Sequence, residues 1–135
     1  MLIEALSEGK YPGAPELNED ALVILPGEAY AVIDGASDRS GRRYEGGRTS
    51  GKMAAAAVAA GINQTFGGNA PPAVFDPAGI VARLSQAIGE EYARLGMAGL
   101  AEADRNLRFN ATLALARTEA ATIHLKQVKR LANDG

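Results

Sequence analysis

Asp34 and Gly35 close a short apolar run, Ala29-Tyr30-Ala31-Val32-Ile33, that reads as a buried-type strand. A strand end holds its last carboxylate rigidly, and the glycine after it lets the chain turn and leaves a carbonyl open to a ligand or an ion. Alone, Asp-Gly after a strand is the signature of a turn. Its surroundings add chemistry. Glu19 and Asp20 precede a second apolar run, Ala21-Leu22-Val23-Ile24-Leu25, and Pro26-Gly27-Glu28 separates the two runs as a hairpin turn would. Antiparallel pairing sets Glu19 and Asp20 beside Asp34, and carboxylates gathered at one sheet end repel unless a proton or a cation neutralises them. The chain has no cysteine and one histidine, so its metal chemistry is that of oxygen ligands: magnesium, manganese or calcium.

Residues 36–50 form a polar, glycine-rich loop carrying Arg39, Arg42, Arg43 and Arg48. Arginines beside a metal-loaded acid cluster are suited to holding phosphate oxygens, and Arg39, Arg42 and Arg43 are the candidates; each taken singly is also an ordinary solvated loop arginine. Gly46-Gly47-Arg48-Thr49-Ser50-Gly51-Lys52-Met53 approaches a nucleotide phosphate-binding loop, but Met53 stands where the magnesium-binding hydroxyl belongs and no strand immediately precedes it. Thr49 or Ser50 reads better as the cap of the following helix.

The elements that position these groups follow in order. Residues 1–20 are acidic with a single Lys10, and Pro12, Gly13 and Pro15 keep the middle irregular. After the hairpin and the arginine loop, an alanine-rich helix is expected from about Gly51 to Asn63, small enough all round to lie close against a sheet or another helix. Asp76 and Pro77 start a second helix, in which Ile80, Leu84, Ile88 and Tyr92 line one face, widened by Val81 and Leu95. A further helical piece is expected from Leu100 to about Phe109, and Ala111 to Arg117 reads as a third strand. In the tail, Ile123 and Leu125 alternate as in a strand while Leu125, Val128 and Ala132 fit a helical face; a strand over 122–127 is preferred, with His124 an exposed or hydrogen-bonded strand residue. The result is one α+β domain over 1–135, with mostly antiparallel strands and a pair of helices packed on one sheet.

Composition excludes several classes. Apolar residues make up 47% of the chain yet are spread out, so nothing approaches the roughly 18 consecutive apolar residues of a membrane span. The amino terminus carries acids where a signal peptide carries bases, and a cytoplasmic setting is expected. A net charge of −2 gives no attraction for nucleic acid, and the basic segment lacks interleaved aromatics.

Three segments resemble the metal-dependent serine/threonine protein phosphatases of the PP2C (PPM) type. Asn18-Glu19-Asp20-Ala21 is similar to the family's acidic approach to its second strand, Tyr30-Ala31-Val32-Ile33-Asp34-Gly35 to the strand ending in the metal-binding Asp-Gly, and Ala111-Thr112-Leu113-Ala114-Leu115-Ala116 to the strand behind the helical pair. The resemblance implies that Asp34 bridges two manganese or magnesium ions, that the Gly35 carbonyl completes one shell, and that Glu19 or Asp20 holds metal-bound water. It implies attack of a metal-activated water on a phosphoserine or phosphothreonine ester, with a phosphoprotein or other phosphomonoester as substrate. Ala36 replaces the histidine that many members carry after Asp-Gly, and Pro15 stands near the place of their arginine.

The resemblance spans only the first half of the family's domain. The expectation is therefore a partial PP2C-like β-sandwich lacking its carboxy-terminal half and the later metal-binding aspartates, weak or inactive as an isolated chain. Its exposed sheet would be covered by another copy or by the missing half. The alternatives are a non-catalytic PP2C-like binding or dimerisation module, and magnesium-dependent nucleotide binding at Gly46–Lys52.

Overall fold

In the computed structural model, which describes residues 2–119 and 122–132 and side chains from 2 to 117, the two apolar runs form the expected hairpin. Strand β1 (Asp20–Leu25) pairs antiparallel with β2 (Ala29–Ala36). Gly27 takes φ +77° at the turn, Glu28 N–H donates to the Leu25 carbonyl at 2.9 Å, and Gly27 N–H donates to Tyr30 Oη at 3.0 Å. Helices α1 (Ser50–Phe66), α2 (Pro77–Arg94) and the short α3 (Ala98–Ala103) follow, and strands β3 (Asn110–Glu119) and β4 (Thr122–Ala132) complete an antiparallel sheet in the order β1-β2-β3-β4. The ambiguous tail is thus a strand, longer than the expected 122–127; the side chain of His124 lies outside the described residues. The expected helical piece from Leu100 to Phe109 is instead α3 and a 3-10 turn, Arg105–Leu107. The break falls at Asp104, whose Oδ1 accepts from the Asn106 N–H at 2.9 Å.

Helices α1 and α2 pack against the sheet, and α3 packs on α2. On the covered sheet face Val23, Ala29, Ala31, Ile33, Ala111, Leu113 and Leu115 are buried. The alanines of α1 let it approach closely, as their size suggests, and Gly61 brings α2 nearer still: a Cβ there would stand 2.8 Å from Leu84 Cδ2. The periodic stripe of α2, Ile80, Leu84, Ile88 and Tyr92, is buried throughout. Tyr92 packs on Phe109 with ring centroids 4.9 Å apart, and its Oη accepts from the Phe109 N–H at 2.6 Å. Tyr44, from the arginine loop, meets the same phenylalanine edge-on at 5.3 Å, which fastens the loop to the core.

The opposite sheet face is open. Leu22, Ile24 and Val32 are 37%, 41% and 55% exposed, and residues 3–8 run across it without regular structure. Among the described residues there is one sheet, so the second layer of a sandwich is not among them. No helix among the described residues is long and apolar enough to cross a membrane.

Candidate functional site

Strand pairing builds the acidic end. Asp20 stands directly across from Asp34 in the β1–β2 register, and both side chains lie on the open face. One further peptide group joins the strands, the Gly35 N–H donating to the Glu19 carbonyl at 2.9 Å. Asn18 shapes the approach: its Oδ1 accepts from the Asp20 N–H at 3.0 Å and its Nδ2 donates to Ser7 Oγ at 3.1 Å.

Glu19 borders the same cleft as Asp20 and Asp34 but reaches it from the α1 side. Successive strand residues point to opposite faces, so Glu19 is turned from its neighbour toward the start of α1. Ser37 Oγ donates to Glu19 Oε1, and a Cβ on Gly51 would stand 2.6 Å from the Glu19 carboxyl carbon. A carboxylate against the first turn of a 17-residue helix is stabilised by the unpaired N–H groups there. Asp20 and Asp34 are therefore the close pair, with Glu19 half-buried behind them. The carboxyl of Asp20 is pushed above the ordinary aspartate range, first by partial burial, then by the Asp34 charge, a hydrogen bond with Asp34, and the charge of Glu19.

Gly35 has a different role from the one its type suggests. It lies in β2 rather than in a turn and its φ is not positive. A Cβ there would stand 2.6 Å from the Gly51 carbonyl carbon and 2.9 Å from the Glu19 carbonyl oxygen. The glycine is required by close approach of strand and helix.

The acids open on a cleft of about 750 Å³, whose walls include Glu8, Lys10, Tyr11, Glu19, Asp34 and Ser37. An adjoining apolar groove of about 410 Å³ shares Asp20 and Asp34 and runs over Leu22 and Val32. The loop arginines are not among the residues lining either space. Arg42 lies over the Tyr44 ring at 5.4 Å, Arg43 Nη1 reaches the Gly47 carbonyl at 3.5 Å, and Arg39 is exposed. Lys10 and Tyr11, missed as site residues, do line the cleft; the lone base in an acidic stretch was the available signal. Ser37 was also missed, and nothing in its sequence setting singles it out.

At the near-match to a nucleotide loop, Gly46 and Gly47 take φ +70° and +73° in a 3-10 turn, and Thr49 caps α1 by accepting from the Lys52 N–H at 3.1 Å. The Lys52 ammonium donates to the carbonyls of Pro15 and Asn18 at 2.9 and 3.1 Å. Two of its three donors are thereby committed to the backbone.

For a hard divalent cation, the donor chemistry is suitable but sparse. Asp20 and Asp34 fit one such ion as a facing oxygen pair, whereas among the described residues no group of three or more Asp, Glu, His or Cys side chains is placed to hold one. The two-ion set implied by the PP2C resemblance is thus not assembled by these residues. Comparisons with protein-family models, with curated proteins and with solved structures returned no match.

Proposed function

We propose that this chain carries the strand-end metal site of a PP2C-type phosphomonoester hydrolase acting on phosphoserine or phosphothreonine. The observation that supports this reading is the register that sets Asp20 against Asp34 at the mouth of an open cleft. In it Asp34 and Asp20, with the Gly35 carbonyl, would hold manganese or magnesium, and Glu19, held by Ser37, would orient water behind them. A bound divalent cation supplies Lewis acidity and an activated water for attack on the phosphate ester. The protein's own residues fix the carboxylates and shape the cleft; with Ala36 after Asp34-Gly35, that position offers no side-chain acid for the leaving group.

Cation affinity rises with the charge and number of ligands, so a site of two close carboxylates binds weakly, with a dissociation constant on the order of 10⁻⁴ M or above. Titration with manganese, followed by the electron paramagnetic resonance of the free ion, tests the reading. The expected result is weak binding that Asp34→Asn abolishes, with at most marginal hydrolysis of a phosphoserine peptide. No binding, or binding indifferent to Asp34→Asn, overturns it.

A second reading draws on the open sheet face, where Leu22, Ile24 and Val32 are exposed together: a non-catalytic binding or dimerisation module. Sedimentation as a concentration-independent monomer counts against the dimer form of that reading. Nucleotide binding at Gly46–Lys52 draws no comparable support, because the ammonium that would meet a phosphate is bonded to the chain itself.

A further inference from the structure

We infer that Lys52 is a positioning residue for the acidic site, acting from the first turn of α1 through the backbone that carries Glu19 and Asp20. Its Nζ bridges the carbonyls of Pro15 and Asn18, residues 37 and 34 positions earlier in the chain, and the Asn18 carbonyl belongs to the peptide bond that begins Glu19. The peptide groups leading into β1 are then each tied to a different element. Lys52 holds Asn18 C=O, Gly35 of β2 holds Glu19 C=O, and the Asn18 side chain holds the Asp20 N–H. The same helical turn supports the Glu19 carboxylate at Gly51.

The other bonds of the segment before β1 are short-range turn bonds, Ala14 N–H to the Tyr11 carbonyl, Leu17 N–H to Ala14 and Asn18 N–H to Pro15, with the Asn18 side chain on Ser7; none of these ties it to α1. It contains Pro12, Gly13 and Pro15, and its regular structure is the single 3-10 turn Pro15–Leu17. Both ammonium bonds end on carbonyls at this turn and just beyond it, where a cation stabilises the exposed acceptors. A half-buried lysine stem spans the distance from α1 to both carbonyls. Lys52 therefore sets where β1 begins, and with it the alignment of Asp20 on Asp34.

The metal readout of the test rests on the proposed cation site; a second readout does not. Lys52→Met keeps the stem length and removes the donors, while Lys52→Arg keeps charge and donors. At a temperature where circular dichroism gives the wild-type helical signal, Lys52→Met is expected to weaken manganese binding at least tenfold, the scale for residues that orient metal ligands, and to speed amide exchange at Asp20 and Gly35 by a similar factor. Lys52→Arg is expected to return both to within about threefold of wild type. Should Lys52→Met fail to fold, Lys52→Gln takes its place. Manganese affinity within twofold of wild type in the variant lacking the donors overturns the inference. If wild-type protein binds no manganese, the cation reading falls, and amide exchange decides the positioning role: acceleration upholds it and unchanged exchange overturns it.

Discussion

Replacing Gly35 with alanine tests the packing on which the acidic end depends. The added Cβ would stand 2.6 Å from the carbonyl carbon of Gly51 and 2.9 Å from the carbonyl oxygen of Glu19, whereas ordinary contacts at such an atom begin near 3.4 Å. Both obstacles are backbone, so no side-chain rotation relieves them. The closest atom of all is the Gly51 carbonyl oxygen, so either the first turn of α1 retreats by well over an ångström or the β1–β2 pairing opens at its last link, the Gly35 N–H to Glu19 bond. Overpacking of this kind costs about 3 kcal/mol, the upper end for added methyl groups in tight interiors. Against a typical domain stability of about 5–15 kcal/mol, that is a large share, and it corresponds to a fall in Tm of about 10 °C. Urea unfolding followed by circular dichroism measures it. Gly89→Ala is the control: Gly89 lies within α2 and nothing stands within 4 Å of its Cβ position, so the change is expected to stabilise by about 0.5–1 kcal/mol. A Gly35→Ala protein within about 1 kcal/mol of wild type would refute the claim that close approach, rather than turn conformation, requires the glycine.

Asp20→Asn is expected to raise Tm modestly at pH 7 and to leave it unchanged below the ordinary aspartate range, about pH 3.9. The sign follows from linkage: the folded-state pKa of Asp20 is raised, so its contribution is fully favourable only when protonated and is lost as pH rises through the folded value. Tm measured across pH 3–7 checks this, and a wild-type advantage at pH 7 contradicts it. Tyr92→Phe leaves the buried Phe109 N–H without its acceptor and is expected to cost about 1–3 kcal/mol in urea unfolding.

Much of the framework was legible in the sequence because it rests on local rules. Pro26-Gly27-Glu28 between two apolar runs marks a hairpin, and the spacing of Ile80, Leu84, Ile88 and Tyr92 can bury only one helical face. The extent of β4 was less legible, since Leu125, Val128 and Ala132 satisfy both periods. The acidic end was half legible. Residue types and order pointed to Glu19, Asp20 and Asp34, and the register pairs Asp20 with Asp34. The direction of Glu19 depends on α1, whose Gly51 leaves room for it, and sequence proximity to Asp20 conceals that Glu19 reaches their common cleft from the α1 side. The place of the arginines was not legible for a related reason: loop composition does not say where a loop docks, and Tyr44 draws this one onto Phe109, with Ser37 and none of Arg39, Arg42 or Arg43 lining the cleft.

Lys52 shows how one side chain can satisfy a motif in sequence and do other work in space. Glycines followed by a lysine at the start of a helix place an ammonium near the helix's unpaired N–H groups, an arrangement suited to phosphate. The same location is occupied here by Glu19, a carboxylate already supplied by the chain, and the ammonium reaches past it to the carbonyls of Pro15 and Asn18. An anion arriving at this helix end would have to displace both Glu19 and the Lys52 bonds. The anion-binding capacity of α1 is thereby spent on ordering the approach to β1, which leaves the Asp20–Asp34 pair, more exposed in the cleft it shares with Glu19, as the open electrostatic site. A cation rather than a phosphate is the species that this pair attracts first, so phosphate affinity in solution is expected to depend on prior divalent-cation binding. Phosphorus-31 line broadening by manganese measures that order directly, and phosphate binding of equal strength without the metal would contradict it.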